Sequence, residues 1–334
     1  MRFWLIAGLV AAGLASSLSA QTAGGASLSD SDHDGLSDAF EQSLLEQFQP
    51  RFMTSGGDCS TKPAEFTPHL NKPVAMADNG TIYGQVFPAP ERADAVELHY
   101  YDLWRRDCGQ AGHDLDAEHV SVLLERNEAG SWKARYWYAA AHEDTVCDAS
   151  QIVRAKALDA EDQGPEIWVS AGKHGAFLSK KACRFGCGAD TCEGDDRLES
   201  ARVVNLGELA TPMNGATWVE SPRWPLKQKM SRSDFDDALT TRLDRRPANE
   251  IAWASPKKKP AQAVILGGDE AIGGAATGLR ATDSALTVAD TNTSGALDTA
   301  SRKTGNALAK SYRGVKRALK AAAGARTPSV ESNR

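Results

Sequence analysis

Short strand-like runs separated by turns extend from residue 51 to residue 255. The clearest of them are Val96–Trp104, His119–Leu124, Trp132–Tyr138 and Ile167–Ser170. Asn127–Gly130 has the composition of a hairpin turn, and Trp218–Trp224 is expected to be a late loop or an edge strand. Regularly spaced short strands are typical of antiparallel sheets that pack face to face. The sequence therefore predicts a mainly β, antiparallel β-sandwich-like domain over residues 51–255, with a few peripheral helices.

The first 20 residues have the features of a secretory signal peptide. Arg2 provides a positive start, Phe3–Leu14 is apolar but too short to span a membrane well, and small residues lead up to Ala20. Cleavage is expected after Ala20 or one residue earlier, with an uncleaved anchor as the alternative. The sequence therefore predicts a secreted or periplasmic protein, and no later stretch is apolar enough for a transmembrane segment.

All six cysteines follow this leader, so they are expected to enter an oxidising compartment. They are Cys59, Cys108, Cys147, Cys183, Cys187 and Cys192. Three disulfides are the expected outcome, although the sequence does not choose among the connectivities. The alternative is a metal site made from Cys183, Cys187 and Cys192 with His174, whose spacing is not that of paired zinc-binding cysteines.

The acidic segment of residues 30–41 has the ligand spacing of a calcium-binding loop. Carboxylates stand at its positions 1, 3, 5, 9 and 12, and glycine stands at position 6. Ca²⁺ prefers hard oxygen ligands, and the backbone carbonyl at position 7 can supply one of them. The predicted ligands are Asp30, Asp32, Asp34, Leu36, Asp38 and Glu41. The alternative is an acidic cap, without metal, on the helix predicted over Asp38–Phe48 and ended by Pro50.

The sequence Asp-Ser-Asp-His-Asp-Gly-Leu-Ser-Asp-Ala-Phe-Glu resembles the single calcium loops of thrombospondin type 3 repeats and of bacterial EF-hand-like proteins. The resemblance covers only residues 30–41, and it implies Ca²⁺ as the bound ion. Gly24 and Gly25 lie where a full EF-hand would have its entering helix, which glycine disfavours. Residues 21–50 are therefore expected to form a structural calcium clamp and helix instead of a calcium switch.

A second group of metal-ligand residue types lies before and within a predicted strand. If this strand begins near Asp116, alternation places Asp116 and Glu118 on one face, with His113 in the preceding loop. The three could hold a second divalent cation, Ca²⁺, Mg²⁺ or Mn²⁺, or perform acid/base chemistry. His142 and His174 end or follow later strands and are candidates for additional ligands. The alternatives are a solvated carboxylate face, a surface ion pair at His142 and backbone hydrogen bonding by His174.

Over roughly residues 40–180 the chain resembles the family related to the vacuolar protein sorting protein sixty-two. That family has a His-Glu-Gly-Asp-Trp-Glu block before a hydrophobic strand, a later strand that ends in His, and a Gly-Ser-His-Ala motif. The corresponding positions are His113–Glu118, His142 and Gly172–Phe177. Leu115 and Ala117 replace the Gly and Trp of the block. The His, Asp and Glu are retained, so the resemblance implies a cation site with altered local packing.

A more distant likeness is to necrosis-inducing secreted toxins, whose Gly-His-Arg-His-Asp-Trp-Glu block lies on a β-sandwich. Aligning Gly112 and His113 with its first two residues places Asp116 and Glu118 on its Asp and Glu. The likeness implies that these positions help to bind a divalent cation and that the protein engages membrane lipids of a host.

The composition and the charge of the chain both change towards its end. Residues 256–300 are rich in Ala, Gly, Thr and Asp and contain no aromatic residue, which predicts a low-complexity linker. Residues 301–334 then carry a net charge of +8, against −15 for residues 21–300. An acidic body with a basic tail is the expected organisation.

Four apolar residues repeat at helical spacing among the basic residues of the tail. They are Leu308, Tyr312, Val315 and Leu319. The pattern predicts a short amphipathic helix that could bind an anionic lipid or a cell-envelope polymer. The alternative is a solvated tail without a partner.

Several function classes are disfavoured by composition and by missing motifs. The net charge is −6, which argues against nucleic acid as the main partner. The sequence has no HExxH, no GxSxG and no P-loop, and no catalytic residue is assigned. The expected function is that of an exported calcium-binding protein with a second divalent-cation site, acting as a cell-surface or envelope binding protein. The alternatives are a metal-dependent hydrolase that uses His142 or His174, a structural envelope protein, and a membrane-active toxin-like protein.

Overall fold

The computed structural model describes residues 29–256, except residues 91, 110–111, 146–147, 185, 187–189 and 195. The helices are α1 (Asp38–Gln47), α2 (Lys180–Cys183) and α3 (Asp237–Asp244), with 3₁₀ segments at Ala155–Leu158 and Thr217–Glu220. The strands are β1 (Arg51–Thr54), β2 (Glu65–Phe66), β3 (Ala75–Ala77), β4 (Ile82–Pro88), β5 (Ala95–Arg106), β6 (Asp114–Arg126), β7 (Trp132–Ala139), β8 (Gln151–Arg154), β9 (Glu166–Val169), β10 (Ala176–Phe177), β11 (Asp196–Arg197), β12 (Val203–Asn205), β13 (Gly207–Glu208), β14 (Thr211–Pro212) and β15 (Ala252–Trp253).

Two sheets form the body of the protein. The large sheet has seven strands in the order β12-β4-β5-β6-β7-β8-β15, antiparallel except for the parallel pair β12–β4. The small sheet has four strands in the order β10-β9-β1-β11, with β1 and β9 parallel. Strands β2 and β3 pair separately, as do β13 and β14. The mainly β, sandwich-like fold with a few peripheral helices is thereby confirmed.

The main core lies between the two sheets and α1. Leu45 of α1 and Phe48, which caps the end of that helix, pack with Phe52 of β1 and Trp104 of β5 in one buried cluster. The close approach of α1 requires Gly84 on β4, because a Cβ atom there would lie 2.7 Å from the methyl carbons of Leu45. The helix begins after Ser37, whose hydroxyl accepts a hydrogen bond from the Phe40 N–H at 3.4 Å. The predicted helix is confirmed to within one residue at its end.

The second face of the large sheet is also covered. Its two clusters consist of Tyr83, Tyr101 and Leu103 packed with Trp218 and Trp224, and of Leu123, Tyr136 and Ile152 packed with Phe235 and Leu243. The first ten residues of β5 are therefore all buried, without the alternation of a sheet that faces water on one side. The segment Trp218–Trp224 is not an edge strand. It begins within a 3₁₀ segment and contributes two indoles to this covering layer.

Two of the expected disulfides are present in the described part of the chain. They join Cys59 to Cys108 and Cys183 to Cys192. The alternative metal site is wrong, because Cys183 and Cys192 bind each other and offer no thiolate. Cys147 and Cys187 lie outside the described residues. Disulfides of this kind are those of an exported protein.

The predicted leader, linker and basic tail fall at residues 1–20, 256–300 and 301–334, and apart from Pro256 these lie outside the described residues. Within residues 29–256, no helix combines the length and the apolar character needed to cross a membrane.

Candidate metal centres

The loop before α1 folds back on itself through two residues with left-handed backbone angles. His33 has a φ of 63° and Gly35 a φ of 93°, and the Gly35 N–H donates to Asp30 Oδ2 at 3.2 Å. The Leu36 N–H donates to Asp34 Oδ1 at 2.7 Å. The hydroxyl of Thr211 on β14 donates to the Asp32 carbonyl, which ties the loop to the body. The turn that glycine at position 6 was expected to permit is therefore formed.

The carboxylates of this loop converge on one point. Asp30, Asp32 and Asp34 each place an oxygen within 4.8 Å of the others. Glu41 arrives from the first turn of α1 and is fully buried. Six buried carboxylate oxygens accept no hydrogen bond: Asp30 Oδ1, both of Asp32, Asp34 Oδ2 and both of Glu41. Buried, unpaired carboxylate oxygens are costly unless a cation neutralises them, so the donor set fits a bound Ca²⁺.

The electrostatics of the loop agree with this fit. Burial, together with the charges of Asp34, Glu208 and Asp30, raises the pKa of Asp32 to about 7. Burial and the charges of Asp32 and Asp34 raise the pKa of Glu41 to about 8. Both shifts arise because the negative charges lie close together and away from water. A divalent cation bound among these oxygens would offset that repulsion.

Two predicted ligands of the loop have other contacts. Asp38 accepts from the Ser31 N–H and from the Ser31 hydroxyl, both at 2.7 Å, so its carboxylate is used within the turn. The backbone carbonyl of Leu36 stays a predicted ligand. Glu208 on β13 was not expected, yet its charge acts on Asp32, and its Oε1 is buried without a hydrogen bond. No sequence pattern near residues 30–41 could indicate it, because it comes from a hairpin far along the chain.

The second group of predicted residues lies at one end of the main core. Antiparallel pairing sets Glu118 on β6 opposite Asp102 on β5, and Asp116 opposite Trp104. Asp116 and Glu118 are 8% and 6% exposed, so they do not form a solvated face. Strand β6 begins at Asp114, two residues before the expected position, and the two carboxylates lie on one face as predicted.

His174 lies among carboxylates and against an aromatic ring. Its Nδ1 lies 2.9 Å from Asp116 Oδ2, and its Nε2 lies 3.7 Å from Asp58 Oδ2. The imidazole stacks on Trp104 with ring centroids 4.1 Å apart. Burial opposes its charge, but the hydrogen bonds and charges of Asp116 and Asp58 prevail and raise the pKa of His174 to about 9. His174 is therefore an imidazolium at neutral pH.

The other two histidines are placed differently. His142 has its Nε2 at 2.9 Å from both carboxylate oxygens of Asp190, and its side chain is largely buried. The alternative of a surface ion pair is therefore not what the structure shows. His113 is 60% exposed at its side chain, and its Nε2 lies 3.9 Å from Asp107. The structure brings Asp116 together with His174, and it places His113 out in the solvent instead of beside them.

Three buried oxygens at this end of the core accept no hydrogen bond. They are both carboxylate oxygens of Asp102 and Oε2 of Glu118. Burial and the charge of Glu118 raise the pKa of Asp102 far above its ordinary value, and burial raises the pKa of Glu118 to about 8. These oxygens could bind a second cation, or they could each carry a proton. Asp102 and Asp58 are the members that the sequence did not indicate.

The chain was compared with known proteins. No family model and no curated protein matches it, so the resemblance to the family of the vacuolar protein sorting protein sixty-two stays a prediction. Several solved structures are similar, and they include a necrosis and ethylene inducing protein.

Three of these structures illustrate the extent of the similarity. A triple mutant of NLPPya is 16% identical, with a TM-score of 0.36 over 59% of this chain and 87% of that one. NLPPya in complex with glucosamine is 15% identical, with a TM-score of 0.34 over 57% and 87%. Necrosis and Ethylene inducing Protein 2, from the causal agent of the Witches Broom disease of cocoa, is 16% identical, with a TM-score of 0.31 over 53% and 78%. Similarity at this level assigns no function to the chain.

Proposed function

We propose that this chain is an exported calcium-binding protein that acts at an anionic cell surface or envelope. The observation that carries the proposal is the set of six buried, unpaired carboxylate oxygens contributed by Asp30, Asp32, Asp34 and Glu41. Ca²⁺ takes six to eight oxygen ligands, so a single ion can satisfy the whole set. The loop joins α1 to the β13–β14 hairpin, so the ion acts as a clamp between them.

A second divalent cation at Asp102, Asp116 and Glu118 belongs to the same proposal. Its support is the three unpaired oxygens of Asp102 and Glu118 and the raised pKa values of both groups. Because these groups are buried at the end of the core, the cation would stabilise the fold beneath the surface. A role of His113 as its ligand would require the loop before β6 to move inward.

A metal-dependent hydrolase is less well supported than a binding protein. His174 is completely buried and is held as an imidazolium between Asp116 and Asp58. A general base must be neutral and must reach the proton that it removes. His174 fulfils neither condition in this arrangement.

The contact with an anionic surface is proposed for the basic tail. Residues 21–300 carry a charge of −15, which would repel such a surface, whereas residues 301–334 carry +8. The full-length protein in saturating Ca²⁺ should therefore sediment with phosphatidylglycerol vesicles or bind an anionic polysaccharide. Deleting residues 301–334, or raising the salt from about 0.1 M to about 0.5 M, should remove most of this binding. Equal binding to neutral vesicles, or binding that survives the deletion, would contradict the proposal.

Calcium affinity is expected to rise between about pH 5 and about pH 8. In the calcium-free protein the raised pKa values of Asp32, about 7, and Glu41, about 8, mean that protons occupy the site at low pH. These bound protons stabilise the calcium-free fold. The stabilisation is complete at pH values below the ordinary carboxyl pKa, and it is lost as the pH rises through about 7 to 8. Calorimetric titration with Ca²⁺ at both pH values measures the effect. An affinity that does not change with pH would show that these carboxylates do not bind the ion.

A further inference from the structure

Two buried histidines lie side by side on the face of the large sheet that turns away from α1. His99 on β5 and His119 on β6 are both 0% exposed. Their rings are stacked almost in parallel, with an interplanar angle of 8° and centroids 5.7 Å apart. Asp234, in the segment that leads into α3, covers them. None of these three residues belongs to the calcium loop or to the acidic end of the core.

One carboxylate oxygen is shared by this group. Asp234 Oδ2 lies 3.0 Å from His119 Nε2 and 3.7 Å from His99 Nδ1, and it accepts from the Ser121 hydroxyl at 2.6 Å. One ligand atom from each of His99, His119 and Asp234 lies within 4.8 Å of the other two. Bonds of about 2.0 Å in a tetrahedral site place neighbouring ligand atoms about 3.3 Å apart. The two contacts of Asp234 Oδ2, at 3.0 Å and 3.7 Å, lie on either side of that value.

The second nitrogen of each imidazole faces a glutamate. His99 Nε2 lies 3.4 Å from Glu97 Oε2, and His119 Nδ1 lies 3.6 Å from Glu143 Oε2. Metal-binding histidines almost always direct their other N–H to a carboxylate or a carbonyl group, which fixes the tautomer. His119 Nε2 forms a hydrogen bond with Asp234 Oδ2 in this structure, so a metal ion would take the place of the proton between them. Binding of the ion would release that proton, as metal binding to histidine does in general.

The charge balance points in the same direction. The group contains three carboxylates, Glu97, Glu143 and Asp234, and one guanidinium, since Arg232 Nη2 lies 2.7 Å from Glu143 Oε2. With neutral imidazoles the buried group carries an excess of two negative charges. His99 Nδ1, the nitrogen that faces Asp234, is buried and makes no hydrogen bond. One divalent cation neutralises the group without requiring two stacked imidazolium ions.

We propose that His99, His119 and Asp234 form a binding site for a transition-metal ion of the Zn²⁺ type. Two imidazole nitrogens and one carboxylate oxygen form a donor set that suits Zn²⁺ and Co²⁺, whereas Ca²⁺ prefers oxygen ligands alone. Because Asp234 lies on the segment before α3, the ion would fasten that segment to the outer face of the large sheet. The site differs from the calcium loop in both position and chemistry.

Co²⁺ titration of the full-length protein, in saturating Ca²⁺ to fill the oxygen sites, tests the proposal. One equivalent should bind and give visible d–d absorption, and Zn²⁺ should displace it. His99→Gln and His119→Gln should each weaken Co²⁺ binding at least about tenfold. The matched control is His69→Gln, which removes an exposed imidazole and should leave the affinity unchanged.

Glu97→Gln and Glu143→Gln provide a second pair of variants if the histidine variants do not fold. They retain the size of the side chains. They should lower the affinity for Co²⁺ about 10- to 100-fold, because the imidazoles are then no longer held in one orientation by a carboxylate. The proposal is overturned if the wild-type protein binds no Co²⁺ with imidazole ligands. It is also overturned if folded variants of either pair bind Co²⁺ as tightly as His69→Gln does.

Discussion

Saturating Ca²⁺ is expected to stabilise the wild-type protein strongly and the Glu41→Gln variant hardly at all. A free Ca²⁺ concentration 1,000 times the dissociation constant should add about 4 kcal/mol to the free energy of unfolding. Glu41 contributes two of the six unpaired oxygens, and glutamine offers one oxygen and no charge. The measurement is urea unfolding of both proteins with Ca²⁺ and with a chelator.

Glu46→Gln is the matched control for this experiment. Glu46 lies on the same helix but is exposed, and it accepts a hydrogen bond from Gln42 at 2.8 Å. It should respond to Ca²⁺ as the wild type does. In the chelator the Glu41→Gln variant should be no less stable than the wild type, because the substitution replaces a buried carboxyl group that lacks a hydrogen-bond partner with a neutral amide of similar size. Equal stabilisation of Glu41→Gln and Glu46→Gln by Ca²⁺ would contradict the account.

Asp116→Ala is expected to destabilise the protein by about 3 kcal/mol even where no metal is present. Asp116 is the closer of the two carboxylates around the buried imidazolium of His174, at 2.9 Å against 3.7 Å for Asp58. Its removal leaves a buried charge with only the longer contact. Chemical unfolding followed by circular dichroism, at a fixed chelator concentration, measures the loss.

The control for Asp116→Ala is Asp114→Ala, which removes an exposed carboxylate from the same strand. It should change the free energy of unfolding by no more than about 0.5 kcal/mol. Adding His174→Leu to Asp116→Ala should recover part of the loss, because the unpaired charge is then removed as well. Similar stabilities of the Asp116 and Asp114 variants would show that the His174–Asp116 pair does not stabilise the core.

The strands could be predicted where runs of aromatic and β-branched residues are separated by residues typical of turns. β5, β6 and β7 follow aromatic and β-branched runs, and the Asn127–Gly130 turn between β6 and β7 closes with a 2.9 Å hydrogen bond from the Gly130 N–H to the Asn127 carbonyl. What the pattern did not predict is that the large sheet is buried on both faces. The covering layer, which includes Trp218 and Phe235, lies far along the chain from β5 and has no strand period of its own.

The two candidate sites differ in how much of each was predictable. The calcium loop is contained in 12 consecutive residues, so its spacing alone brings Asp30, Asp32 and Asp34 together, with Glu41 close enough for their charges to act on it. The acidic end of the core depends on strand register and on loops from distant parts of the chain. Alternation therefore predicted the shared face of Asp116 and Glu118, but their actual partners are Asp102 and His174. His99 and His119 gave no signal, because each stands alone within a strand.

The most direct test of calcium in the loop is a calorimetric Ca²⁺ titration of the mature protein beside Asp32→Ala and Asp116→Ala. Asp32 is 3% exposed and contributes two unpaired oxygens, so its removal should abolish the tightest site. Asp116→Ala should retain that site, because Asp116 lies at the end of the core and not in the loop. Loss of the site in Asp32→Ala alone is the result that the account predicts. A wild-type protein that binds no Ca²⁺, or an Asp32→Ala variant that binds it undiminished, would contradict the central claim.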